Sequence, residues 1–158
     1  MTDWQVRTGS LADLDVVGPL WVAVHHRHAE TMPQLAPYVS DDETWRVRRE
    51  LYEQLLAKPD TLLLLAFAGE VAVGYGLAHV LTVDETWIPD TWETDSRIGE
   101  IESLSVLPEY RGSGLGSELL GPDACLDRDQ LRAHDQPRQF HHRRKRIRRP
   151  GNLARFQQ

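Results

Sequence analysis

The sequence predicts an α/β or α+β domain, a sheet carrying helices, and three observations lead there. Up to Leu120 the elements read in the order β-α-α-β-β-β-α. Two apolar runs, 61–67 and 71–83, flank a short A-G-E turn as the arms of an antiparallel hairpin would. A further strand then runs into V-L-P-E-Y-R-G-S-G-L-G-S-E-L-L (106–120), where a proline, an arginine and closely spaced glycines lead into a helix. At 158 residues the chain is long enough to bury one sizeable core.

Each element has a local reason. W-Q-V-R (4–7) is a short strand with Val6 between polar neighbours. Ser10 caps the first helix, and Asp13, three residues on, comes close to a capping box. Leu11, Leu14, Val17, Trp21, Val24 and His28 then recur at helical spacing, with Gly18-Pro19 expected to kink or split the element. After the M-P-Q-L-A-P loop, S-D-D-E-T-W opens a second helix whose acids suit the positive end of its dipole. Trp45, Arg49, Tyr52 and Leu56 form its stripe, and Lys58-Pro59 ends it. The hairpin strands follow, then a polar loop with two tryptophans (84–96). R-I-G-E-I-E-S-L-S-V-L-P (97–108) alternates well enough for the next strand, and Gly114 to Leu120 begin a helix.

Charge divides the chain. Residues 1–120 hold 8 Lys+Arg against 20 Asp+Glu, a net of −12, while residues 121–158 hold 10 against 4, a net of +6. The overall −6 argues against a wholesale nucleic-acid binder. Cys125 is the only cysteine, which excludes an intrachain disulfide and a cysteine-based zinc cluster. No apolar run approaches the roughly 18 residues that span a bilayer, and M-T-D-W-Q-V-R lacks the regions of a signal peptide. No membrane partner is expected, and a reducing cytoplasm is the default location.

Glycines at the mouth of a helix let backbone N–H groups approach an anion without interference from Cβ, and the helix end adds partial positive charge. Arg111 contributes a permanent cation there and Ser113 a hydroxyl. The plain alternative is a strand-to-helix turn with no ligand. The spacing is wrong for the G-x-G-x-x-G of a dinucleotide fold, and no G-K-S or G-K-T exists for a P-loop.

The full stretch L-S-V-L-P-E-Y-R-G-S-G-L-G resembles the acetyl-CoA motif of the GNAT acetyltransferase superfamily, whose core is Arg/Gln-x-x-Gly-x-Gly/Ala. Arg111, Gly114 and Gly116 match that core, with Leu104, Val106 and Pro108 at the expected upstream positions. V-R-T-G-S-L-A-D (6–13) resembles the family's opening strand and first helix, so the likeness covers residues 4–120. It implies a mixed, mostly antiparallel sheet flanked by helices, with acetyl-CoA as cosubstrate and an amine-bearing acceptor as partner. By resemblance, backbone groups of Leu104 and Val106 bond the pantetheine arm. Those of Arg111, Gly112, Ser113, Gly114, Leu115 and Gly116 take the pyrophosphate.

Acetyl transfer to an amine needs a deprotonated nucleophile, a stabilised oxyanion and a proton for the departing thiolate. Glu100 and Glu102 lie two apart on the motif strand, so both should point to one face. Paired carboxylates raise each other's pKa, which suits a general base working through water. The family's glutamate base aligns with Glu100, and Glu102 is nearly as well placed; the plain alternative is a pair of solvated strand acids. Family members commonly draw the thiol's proton from a tyrosine after the fifth strand. Here the tyrosines are Tyr38, Tyr52, Tyr75 and Tyr110, none beyond the glycine loop. His25, His26, His28, Glu30, Met32, Trp87 and Trp92 are candidates for acceptor recognition. Of the three histidines only 25 and 28 share a helix face, so no metal is expected and a solvated helix end is the simpler reading.

After Leu120 the family would supply a helix remainder, an apolar fifth strand, another helix and a closing hairpin. Gly121-Pro122 instead breaks the helix, and no four-residue apolar run follows before the basic block His141 to Arg149. The domain is therefore expected to span 1–120, with 121–158 an atypical basic tail, disordered or out of frame, and the C-terminal strands missing or replaced. An out-of-frame product of a GC-rich gene is the favoured reading. A natural ending completed by a partner subunit, which implies a homodimer, and a nucleic-acid or acidic-surface tail are the alternatives. The expected function is N-acetyl transfer to a small molecule or peptide, with a non-catalytic acyl-CoA-binding or interaction module as the rival.

Overall fold

The structure, a computed structural model, describes residues 4–83, 91 and 96–121. In chain order it contains β1 (Gln5–Thr8), α1 (Leu14–Thr31), α2 (Asp41–Leu56), β2 (Thr61–Ala68), β3 (Val71–Thr82), β4 (Arg97–Val106) and α3 (Leu115–Leu119). The strands form one sheet in the order β1-β2-β3-β4, every neighbouring pair antiparallel. The expected α/β architecture and hairpin are both present. Residues 84–90 and 92–95 of the tryptophan loop, both tryptophans among them, and the tail from 122 on lie outside the described residues. Among the described helices none is long and apolar enough to cross a membrane.

The first helix corrects two expectations. A 3-10 turn at Leu11–Asp13 precedes α1, and the Asp13 carboxylate accepts from the Ser10 N–H at 2.8 Å. The helix then runs through Gly18-Pro19 unbroken. Pro19 lacks the N–H that would bond the carbonyl of Asp15, but the neighbouring turns hold. A Cβ at Gly18 would lie 2.9 Å from the Trp45 ring, so glycine is what lets α2 pack here. The buried stripe is Leu14, Val17, Gly18, Leu20, Trp21 and His25; Leu11 and His28, expected within it, are exposed. On α2, Ser40 Oγ accepts the Glu43 N–H. Tyr52 and Leu55 are its buried residues, with Trp45, Leu51 and Leu56 packed beside them.

Two apolar layers enclose the sheet. On one face, Leu14, Val17 and Leu20 of α1 and Tyr52 and Leu55 of α2 pack on Leu63, Leu65, Tyr75 and Leu77. On the other, Leu115 and Leu119 of α3 pack with Ala66 and Val73, flanked by Leu104 and Val106. The short α3 is seated closely because β3 offers glycines there: a Cβ at Gly74 would lie 3.3 Å from Leu119 Cδ1. Trp4 Nε1 donates to Glu118 Oε2 at 2.7 Å and ties the start of the chain to α3. At the far end of β4, Arg97 pairs with Asp60 at 2.6 Å, and Val83 N–H donates to Ser96 O at 2.9 Å.

Candidate functional site

β4 is irregular at the point that matters. Leu77 faces Ser103 but Ala78 faces Ile101, so Glu102 is an extra residue, a bulge in the strand. The bulge reverses the alternation. Ser103 and Ser105 lie opposite Leu77 and Tyr75, on the face covered by α1 and α2. Past the bulge Glu100 lies opposite His79 and joins that same face. Strict alternation would have sent both glutamates to the α3 face with Leu104 and Val106.

The two carboxylates do converge. His79 Nε2 lies 3.3 Å from Glu100 Oε2 and 3.9 Å from Glu102 Oε2. Glu100 is half exposed, Glu102 mostly covered and His79 buried. Glu102 Oε1 receives Arg48 Nη1, and that guanidinium lies over the Trp21 ring, 3.9 Å from its centroid. Glu102 is thus held by Arg48, and Glu100, beside His79, is the more exposed of the two. Beneath them the Tyr52 hydroxyl meets Tyr75 Oη at 3.0 Å and Ser103 Oγ at 2.5 Å. Burial pushes both phenols above the usual tyrosine range, so each stays protonated at neutral pH. Ser105 Oγ donates to Leu20 O at 3.0 Å and pins α1 to the same strand.

The other side of β4 has no partner strand among the described residues. Leu107 N–H donates to Val73 O at 2.9 Å, which fixes the parity of the ladder. Tyr75–Ser105 is then a hydrogen-bonded pair, while Gly74–Val106 and Gly76–Leu104 are not. The N–H and C=O of Leu104 and Val106 therefore point outward, and among the described residues no strand pairs with them. Their side chains go to the α3 layer. Arg111 Nε donates to Val106 O at 2.9 Å and caps that edge.

From there the chain makes a 3-10 turn, Pro108–Tyr110, and Ser113 Oγ closes the loop onto Tyr110 O at 2.5 Å. Gly112 (φ +74°) and Gly114 (φ +96°) sit in the left-handed region, where only glycine is free of strain. Arg111 to Gly114 are exposed and Gly116 half-buried, whereas the Leu115 side chain is fully buried, so only its main chain can face a ligand. The N–H groups at the start of α3 have no acceptor within the helix.

The histidine run at the end of α1 has structural partners. His25 Nε2 lies 3.0 Å from Val39 O, His26 Nε2 is 2.9 Å from Asp41 Oδ1, and Tyr38 Oη donates to the His28 carbonyl at 3.1 Å. They fasten α1 to the loop before α2 and to the first residue of that helix. Glu30 is exposed, Met32 half-buried, and Trp87 and Trp92 lie outside the described residues. Sequence reasoning missed His79 and Arg48. A histidine four residues after Tyr75 in an otherwise apolar strand was a usable signal for the first. For the second there was none: Arg49 fitted the stripe, yet it turns outward to Asp15 and Glu53.

Residues 21–122 match the model of the Acetyltransferase (GNAT) family. No curated protein matches the sequence. Among solved structures the chain is similar to the GCN5-related N-acetyltransferase from Ralstonia eutropha JMP134, with a TM-score of 0.60 and 17% identity over 83% of this chain and 78% of that one. It is similar also to an aminoglycoside N-acetyltransferase in complex with CoA (TM-score 0.55, 20% identity, 85% of this chain and 73% of that one). A third is the aminoglycoside 6'-N-acetyltransferase from Acinetobacter haemolyticus (0.53, 18%, 98% and 97%). At such identities the likeness is one of fold. The family match is broader evidence: it spans more than half of the 158 residues and runs through the bulged strand and the glycine loop. The chain belongs to the GNAT acetyltransferase family.

Proposed function

We propose that this chain transfers the acetyl group of acetyl-CoA to a primary amine of a small molecule or peptide. The observation that carries the reading is the bulge at Glu102, which gives β4 two separate tasks. Its outward main chain, the N–H and C=O of Leu104 and the N–H of Val106, would bond the amides of a pantetheine arm as a neighbouring strand would, while the Val106 carbonyl already accepts from Arg111. Beyond that edge, the loop amides from Arg111 through Gly112, Ser113, Gly114 and Leu115 to Gly116 would hold the pyrophosphate, with the Arg111 guanidinium beside them. On the opposite face Glu100 and Glu102 await the acceptor.

Roles within the pair follow from their partners. Glu102 is fixed by Arg48 and orients the site, while the half-exposed Glu100 takes a proton from the incoming ammonium through water. The neutral amine nitrogen then forms its bond to the acetyl carbon, the carbon–sulfur bond breaks, the nitrogen sheds its remaining surplus proton to water, and the departing thiolate takes up one proton from solvent. A strongly acidic residue balance, 20 Asp+Glu against 8 Lys+Arg over 1–120, favours cationic acceptors. The aminoglycoside acetyltransferases among the similar structures support an amine acceptor of that general kind.

Calorimetry with acetyl-CoA, then thiol release over a panel of aminoglycosides, polyamines, amino acids and peptides, tests the reading. Binding with release on at least one amine is the expected result. Binding without release on any of them would favour the rival, a non-catalytic acyl-CoA-binding module. No binding at millimolar acetyl-CoA would sink both.

A further inference from the structure

We propose that His79, Glu100 and Glu102 form a binding site for a divalent transition-metal cation of the zinc type, and that its occupation switches the acetyl transfer off. The starting point is an orphaned atom. His79 is 6% exposed, and its Nε2 has no hydrogen-bond partner among the described residues. The 3.3 Å approach to Glu100 Oε2 lacks hydrogen-bond geometry. A buried nitrogen left in that state costs about 1–3 kcal/mol, and it points between two carboxylates.

The three donor atoms all lie within 4.8 Å of one another, at 3.3 and 3.9 Å from the nitrogen. Zinc bonds of about 2.0–2.2 Å to nitrogen and carboxylate oxygen separate tetrahedral ligands by about 3.4 Å. The cluster is therefore slightly open, and a small rotation of the half-exposed Glu100 would close it, with water in the fourth position. One imidazole and two carboxylates select a zinc-like ion over magnesium or calcium, which prefer oxygen alone. Arg48 holds Oε1 of Glu102 from behind and leaves Oε2 turned toward His79, the kind of outer support that ligating carboxylates commonly have. The Arg48 charge opposes a dication, but the two carboxylates outweigh it.

The switch, though not the binding, rests on the proposed function, because a cation held by Glu100 and Glu102 removes the proton acceptor. Calorimetry of the chelator-stripped full chain with zinc chloride tests the site, with magnesium chloride as control. One zinc per chain is expected, no heat from magnesium, and at least tenfold weaker binding in both His79→Ala and Glu100→Gln. Glu100 is half exposed, so its variant keeps the fold even if the histidine variant does not; thermal melts in chelator check both. Zinc affinity unchanged in the two variants would mean that other histidines hold the ion, and would overturn the site, as would the absence of zinc binding. In the thiol-release assay, zinc should inhibit competitively with the amine and not with acetyl-CoA. Activity indifferent to saturating zinc refutes the switch. Zinc binding in a chain that acetylates nothing refutes the proposed function and leaves the metal site standing.

Discussion

Gly114 offers the sharpest test of the pyrophosphate seat, because its mutation separates backbone strain from loss of ligand. It stands at φ +96° just before α3, and a Cβ there would meet nothing within 4 Å. Gly114→Ala therefore costs only the conformational penalty of a left-handed alanine, about 1–2 kcal/mol. Gly69, in the two-residue turn between β2 and β3, provides a matched control. It has φ +61° and equally open space around its Cβ, but lies on a different segment. Both variants should lose about the same stability in urea titration. Only Gly114→Ala should lose affinity, since on the proposed seat its methyl group would stand in the open space through which phosphate oxygens reach the loop amides. Losing one charge-assisted N–H bond of about 1.5–3 kcal/mol corresponds to roughly 10- to 150-fold in the dissociation constant for acetyl-CoA. If calorimetry finds Gly114→Ala within threefold of the parent chain while both variants lose equal stability, the loop is not the seat.

Glu100→Gln should lower kcat by about 100- to 10,000-fold with acetyl-CoA affinity unchanged, as read by thiol release and calorimetry together. Tyr52→Phe removes the hydroxyl shared by Tyr75 and Ser103 and should cost about 1–3 kcal/mol in urea unfolding. Asp13 is held down to about 2 from an ordinary 3.8, first by its hydrogen bond from Arg7 and then by those from Ser10. A carboxyl depressed in the folded state stabilises above its unfolded pKa, and that contribution is lost as pH falls from about 4 through about 2. Asp13→Asn should therefore flatten the acid limb of the stability profile in that window, measured by thermal melts.

Elements with local causes were legible in the sequence. The hairpin announced itself through two apolar runs around Gly69, and the glycine loop through residues that only a tight turn before a helix requires. The split expected at Gly18-Pro19 did not occur: the local penalty is real, but the packing of Gly18 on Trp45, 27 residues on in the chain, belongs to the tertiary fold and not to the local sequence. The glutamate pair was visible by its spacing, but its face was not. E-I-E and S-L-S alternate identically, and nothing in either says that the phase reverses between them. Arg48 became part of the site only through the packing of α2 across Trp21, which no spacing rule encodes.

That reversal makes the face on which the β4 glutamates stand a matter of frame. If the stretch from Arg97 to Ile101 slipped by one residue against β3 and erased the extra residue, Ile101, now 57% exposed, would swing in against His79 and the acids would turn outward. The slipped sheet would be more regular, although Ile98, now opposite Leu81 on the covered face, would turn outward in exchange. Two ties at the strand's start oppose it: the Arg97 ion pair with Asp60 and the Val83–Ser96 bond. On the proposed function, a substitution at Asp60 would lower acetyl transfer although Asp60 lies outside the proposed site.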